Sequence, residues 1–175
     1  ILQLNKLNNQ VRKFYDKTVS AKKKSELWPP ICSKLSDIIN YMKSITDFDK
    51  KCLRLAIKVA EDTFKKGNYP VGAVLAVDNK IIDQVGNQIN QNRSFTNHAE
   101  NLLIMNNGTR LYEAWKTKKT ISLYSTLEPC IQCLGASVTN HINKIFYIQK
   151  DPNGGACDLK HDNIGLWYKK TWPEI

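Results

Sequence analysis

The sequence predicts an α/β protein: a three-layer α/β/α sandwich on a mixed sheet, preceded by an N-terminal helical extension. Three observations predict it. Apolar residues at helical spacing occupy the first 66 positions, the pattern turns strand-like at Val71, and helical and strand-like segments alternate from His98 onward.

Taken in order, Leu4, Leu7, Val11, Phe14 and Tyr15 share one helix face in residues 1–21. Lys22, Lys23 and Lys24 interrupt that pattern. Trp28-Pro29-Pro30 ends it, because proline cannot donate to a helical ladder. A second helix is predicted over 31–44, burying Leu35, Ile38, Ile39 and Met42. Thr46 and Asp47 form a capping signal, and 47–66 reads as a long amphipathic helix with an apolar face from Cys52 to Phe64. Residues 71–77 are a nearly continuous apolar run, as in a buried strand. Asp78-Asn79 supplies a tight turn, so 80–85 returns as the second arm of a hairpin. A polar loop, 86–97, leads to a helix over 98–106. Strand, helix and strand follow at 120–126, 130–140 and 144–149, and the helical crossover between the last two implies parallel pairing. Residues 164–168 are predicted as a final strand. The domain division is therefore 1–46, a basic helical extension, and 47–175, the domain that carries the chemistry.

Charge separates these two parts. Lys and Arg number 15 against 7 Asp and Glu in residues 1–66, but 11 against 9 in 67–175, so the positive field belongs to the leading third. That field suits a polyanion such as nucleic acid, or is a solvated lysine surface. No apolar run of about 18 residues occurs, so no membrane-spanning helix is expected, and 1–10 lacks a signal-peptide pattern. Five cysteines with one close pair do not make a secreted disulfide framework. A reducing compartment, the cytoplasm or an organelle matrix, is expected.

The chemistry is carried by His98-Ala99-Glu100 and Pro129-Cys130-Ile131-Gln132-Cys133, each opening a helix. Cys130 and Cys133, three apart in a first turn, share one face at the positive end of the helix dipole, which favours the thiolates that bind metal. His98 makes a third ligand. Three protein ligands leave zinc a position for water, whose pKa the metal lowers toward neutrality. Glu100 can stand clear of the metal yet near it only if His98 lies at the helix end and Glu100 in the first turn. Cys157, His141 and His161 are single candidates for a fourth ligand, outside any second ligand pair. They read, with Cys32 and Cys52, as buried thiols and structural or surface histidines.

With these residues in view, the stretch from about 50 to 155 resembles the cytidine and deoxycytidylate deaminase superfamily, most of all its branch of tRNA adenosine deaminases and guanine deaminases. The matching segments are Tyr69-Pro-Val-Gly-Ala-Val, His98-Ala-Glu, Leu123-Tyr-Ser-Thr-Leu-Glu-Pro-Cys-Ile-Gln-Cys and Asp151-Pro-Asn-Gly-Gly-Ala. The resemblance implies the cytidine-deaminase-like fold, a zinc cofactor and hydrolytic exchange of an exocyclic amine for oxygen, with Glu100 shuttling protons. It implies a base contact at Asn87, an apolar pocket wall at Val71, a backbone N–H contact at Ala99 and a sugar-side contact at Asp151. Read alone, Asn87 and Asp151 are turn residues and Val71 is core packing. Asn97 stands where relatives carry a small apolar residue, and the tail after Asp151 is short. The reading implied is adenosine-to-inosine deamination in tRNA, by a homodimer or a heterodimer. The rivals are a deaminase of free guanine, cytosine or cytidine, and a non-catalytic zinc-binding or RNA-binding subunit. Glu100 argues against the last.

Overall fold

A computed structural model describes residues 45–160 and 162–175. The expected helices at 1–21 and 31–44, with Trp28, Cys32 and His161, lie outside the described residues.

Helix α1, Asp47–Lys65, begins at a reciprocal cap: the Thr46 hydroxyl accepts from the Asp49 N–H at 3.2 Å, and the Asp49 carboxylate accepts from the Thr46 N–H at 2.8 Å. Asp49 is nevertheless buried, and its second oxygen is satisfied by the Tyr124 hydroxyl at 2.6 Å. Strands β1, Gly72–Val77, and β2, Lys80–Gly86, form the expected antiparallel hairpin. Its two turn residues, Asp78 and Asn79, are both left-handed, the conformation that matches strand twist in two-residue hairpins. After the short helix α2, Ile89–Asn92, come α3, Ala99–Asn106, and α4, Gly108–Lys116. Strand β3, Ile121–Leu127, runs antiparallel to β1. Helix α5, Ile131–Thr139, then crosses over to β4, Lys144–Gln149, which is parallel to β3. The sheet order is β2-β1-β3-β4, mixed as expected.

Strand alternation divides the core into two layers. Ala73, Leu75, Ile121 and Leu123 face Leu103, Leu111, Leu134 and Val138 of α3, α4 and α5. Val74, Ala76 and Tyr124 face Cys52, Leu53 and Ala56 of α1. Helix α1 lies close on the hairpin because Gly72 and Gly86 lack side chains. A Cβ at Gly72 would stand 2.2 Å from the Ala56 carbonyl oxygen, and one at Gly86 would stand 1.6 Å from the Thr63 hydroxyl.

The chain end differs from expectation. Residues 164–168 do not form a strand; Leu166–Thr171 is helix α6, with Leu166, Trp167 and Tyr168 well exposed. The free edge of β4 is used by Glu174 instead, whose N–H reaches the Asn143 carbonyl and whose carbonyl accepts from Ile145, both at 2.8 Å. With that edge taken and no sheet face to bury its aromatic residues, the 166–171 run satisfies its backbone internally.

Candidate metal centre

Pairing register brings the site residues to one edge of the sheet. Gly72 pairs with Gly86, Ala73 with Ser125 and Leu127 with Gln149. The start of β1 and the ends of β2, β3 and β4 therefore lie side by side, in the crevice outside the carboxyl ends of the parallel strands.

His98 is the N-cap of α3, with extended backbone, and Glu100 stands in the first turn. Cys130 is the N-cap of α5, and Cys133 is buried in its first turn. This is the arrangement the spacing required. The His98 Nδ1 lies 3.5 Å from each sulfur, and the two sulfurs are 3.7 Å apart. Tetrahedral zinc, with Zn–S of about 2.3 Å and Zn–N of about 2.0–2.1 Å, separates two sulfurs by about 3.8 Å and sulfur from nitrogen by about 3.6 Å. The three donor atoms thus already span one face of a zinc tetrahedron. No other His, Cys, Asp or Glu joins this cluster among the described residues. Cys157 is a buried free thiol pushed up to about 12 by burial, and Cys52, likewise raised to about 12, lies in the α1 layer. His141, at the far end of α5, stacks on Trp115 with ring centroids 4.9 Å apart.

Protonation within the cluster follows from contact. Hydrogen bonding with Cys133 lowers the Cys130 thiol to about 3, while that bond and burial push Cys133 far up. A cation seated on both sulfurs would take them as thiolates. Contact with Cys130 raises His98. Glu100 is only 3% exposed, and burial raises its carboxyl above the ordinary glutamate range, against the opposing hydrogen bond from Ser125 and the nearby His98.

Val71 and Asn87 are joined directly: the Asn87 N–H donates to the Val71 carbonyl at 2.8 Å. The Asn87 Oδ1 accepts from the Ile89 N–H at 3.0 Å, and no hydrogen bond of its Nδ2 falls among the described residues. The Gln88 N–H bonds the Asn97 carbonyl at 3.0 Å, tying this pair to the residue before His98. Ala99 is fully buried as the first residue of α3. Asp151 is a turn residue, its Oδ1 accepting from the Asn153 N–H at 3.0 Å.

Two further site residues escape a reading of the sequence. Ser125, fully buried, donates its hydroxyl to the Glu100 Oε1 at 2.8 Å. A signal exists, because position 125 continues the core-facing parity of Ile121 and Leu123 with a polar residue. Glu128, 3% exposed, accepts at 3.0 Å from the Asp151 N–H on one oxygen and from the Cys157 N–H on the other. Together with the Ala156 N–H to Pro129 carbonyl bond at 3.0 Å and the Cys130–Gly155 bridge, it fastens the loop after β4 beside the metal cluster. Gly155 lets the loop close, since a Cβ there would stand 2.3 Å from a Glu128 oxygen.

The model of the cytidine and deoxycytidylate deaminase zinc-binding region matches residues 46–149. The chain belongs to this deaminase family. Similar relatives include the tRNA-specific adenosine deaminase of Aquifex aeolicus, 36% identical over 112 residues covering 64% of this chain and 68% of that protein. That of Bacillus subtilis is 34% identical over 108 residues, covering 62% and 66%. The chain thus spans about two thirds of the length of these relatives. A solved structure from a study of A-to-I editing by tRNA deaminases at the wobble position aligns with TM-score 0.53 at 29% identity, covering 63% of this chain and 84% of that one. Guanine deaminase from Nitrosomonas europaea shares the fold at 12% identity, with TM-score 0.52, covering 83% and 86%. The family's zinc-binding region contains the His98, Cys130 and Cys133 cluster of this chain. No helix among its described residues is long and apolar enough to cross a membrane.

Proposed function

We propose that this chain deaminates adenosine in tRNA to inosine, with zinc held by His98, Cys130 and Cys133 and with Glu100 as proton shuttle. The observation that carries the reading is a buried, unliganded carboxylate touching a ready-made zinc face: Glu100 Oε2 lies 3.6 Å from the Cys133 sulfur. A purely structural zinc site has no use for such a group. The tRNA-specific adenosine deaminases among its relatives supply the substrate class.

Zinc at this site supplies Lewis-acid activation of water. The chain's own residues do the rest. Water adds to the carbon bearing the exocyclic amine and ammonia leaves. Glu100 takes a proton from the water, gives it to the ring nitrogen, and delivers the next to the departing amine. Ser125 fixes one oxygen of that carboxylate, so the other faces the cluster. Since the Asn87 Oδ1 is spent on Ile89, its Nδ2 meets a base acceptor as a donor. The Ala99 N–H, at a helix start with no carbonyl four residues behind it, is a second donor. Val71 walls the base, and Asp151 stands on the sugar side. Residues 1–46 are read as an extension of the 47–175 catalytic domain. A homodimer or heterodimer in the cytoplasm completes the proposal.

The test incubates the protein with unmodified tRNA, free nucleosides and free bases, beside Glu100→Ala, and reads amine-to-carbonyl exchange by mass spectrometry. Inosine in tRNA is expected, with turnover reduced at least about 100-fold in Glu100→Ala. Product only from a free base or nucleoside overturns the tRNA reading.

A further inference from the structure

Phe95 is 87% exposed, with its bare ring three residues before the metal ligand His98. Three residues of extended chain reach at most about 11 Å, so the Phe95 backbone lies within that distance of His98. An aromatic side chain this exposed buries almost none of its surface in the fold and contributes little to stability there. A mobile tip would explain it cheaply, but the segment is held on both sides. The Ser94 N–H bonds the Ile89 carbonyl at 3.1 Å, and the Asn97 N–H bonds the Ser94 carbonyl at 3.2 Å. The Ser94 and Thr96 hydroxyls meet at 2.9 Å across the base of Phe95, and the Asn101 amide holds the Thr96 carbonyl at 3.0 Å. Asn101 belongs to α3, so the ring is mounted on the helix whose N-terminus carries His98 and Glu100.

The surroundings favour an anionic, base-bearing partner. Residues 87–98 contain Arg93 and no Asp or Glu, and Asn90, Gln91 and Asn92 are exposed hydrogen-bonding side chains. The second ligand-bearing turn also presents an apolar side chain: Ile131, directly after Cys130, is 65% exposed. A base taken out of an RNA loop for chemistry leaves its neighbours unstacked, and aromatic side chains are the usual replacement for a missing stacking partner. A free nucleobase enclosed in the pocket has no neighbour to stack.

We propose that Phe95 is the stacking platform for the nucleobase adjacent to the deaminated one, and so a specificity-determining residue for RNA over free base. This rests on the RNA reading of the substrate. The experiment compares wild type, Phe95→Ala and Phe95→Trp on an RNA stem-loop carrying the target adenosine. It measures kcat and KM separately, together with the fluorescence of 2-aminopurine placed next to the target. Phe95→Ala raises KM about ten-fold, leaves zinc content and melting temperature unchanged, and abolishes the quenching of 2-aminopurine that binding produces. Phe95→Trp restores both KM and quenching, which a merely structural role would not require. An active wild type with Phe95→Ala indistinguishable in KM and quenching overturns this proposal alone. So does a Phe95→Ala effect that appears only as a changed oligomeric mass, which would make the ring a contact between copies. A wild type that deaminates free nucleosides but not RNA overturns the substrate reading, and this proposal with it.

Discussion

Glu100 carries the tension of the site in a single side chain. Burying a carboxyl penalises its charged form, and burial is the largest influence on Glu100, raising it above the ordinary glutamate range. The Ser125 hydroxyl opposes this by donating to Oε1 at 2.8 Å, and it fixes which oxygen faces the cluster. Removing that donor leaves a buried oxygen without its partner and frees the carboxyl to rotate. Ser125→Ala is therefore expected to lower kcat about ten-fold, equivalent to about 1.4 kcal/mol. KM should change little and one zinc per chain should be retained, since Ser125 touches neither ligand atoms nor the base contacts. Steady-state kinetics with metal analysis checks this. Unchanged kcat would mean that Glu100 is oriented by its other contacts, the Cys133 sulfur first among them.

At the scale of elements, the edge that carries the candidate site is assembled by contacts between segments far apart in the chain, and Glu128 is the clearest case. It bridges the end of β3 to amides 23 and 29 residues later, so Asp151 and Cys157 are held beside Cys130 by one carboxylate. Glu128→Gln keeps the shape but turns one acceptor into an NH₂ group that faces an N–H. The expected outcome is faster amide hydrogen exchange confined to residues 151–157, with KM raised several-fold and zinc affinity weakened. Hydrogen exchange by mass spectrometry with a chelator competition reads both. Exchange unchanged in 151–157 would place the hold on that loop in the Pro129–Ala156 and Cys130–Gly155 contacts instead. The same distinction explains what is legible in the sequence. The cap at Thr46, the Asp78-Asn79 turn and the His98-Ala99-Glu100 and Cys130-Ile131-Gln132-Cys133 motifs are legible because each is a short-range pattern. Ser125 and Glu128 escape because their partners lie 23 to 29 residues away. Helix α4 has no cap to mark its start: it begins at Gly108 directly after Asn107 with no side-chain cap, although Leu111 and Ala114, its buried residues, follow helical spacing. The chain end reads as strand because Ile164-Gly-Leu-Trp-Tyr has strand composition. The decision is made elsewhere, by Glu174 occupying the edge of β4.

Over the whole molecule, chemistry and charge are segregated. The sheet edge that gathers His98, Cys130 and Cys133 belongs to residues 67–175, where acids and bases nearly cancel, while residues 1–66 carry eight excess positive charges. Helix α1 takes part of that charge, and Lys51, Lys58 and Lys65 along it and Lys66 at its end are exposed on the side of the sheet opposite α3 and α5. A small neutral base gains little from such a field, whereas a polyanion gains at every phosphate it meets, releasing counterions as it binds. If tRNA is the substrate, KM for tRNA should rise at least about ten-fold between about 50 and about 200 mM salt, with kcat nearly constant. Replacing Lys22, Lys23 and Lys24 together with Gln should then flatten the dependence of log KM on log salt. Every phosphate that no longer meets a lysine lowers its slope by about 0.7 to 0.9. A slope unchanged by the triple substitution would assign that lysine run to solvated surface and leave the steering charge to other residues. A wild-type KM that ignores salt would remove the polyanion from the account and favour a substrate small enough to be enclosed by the sheet edge.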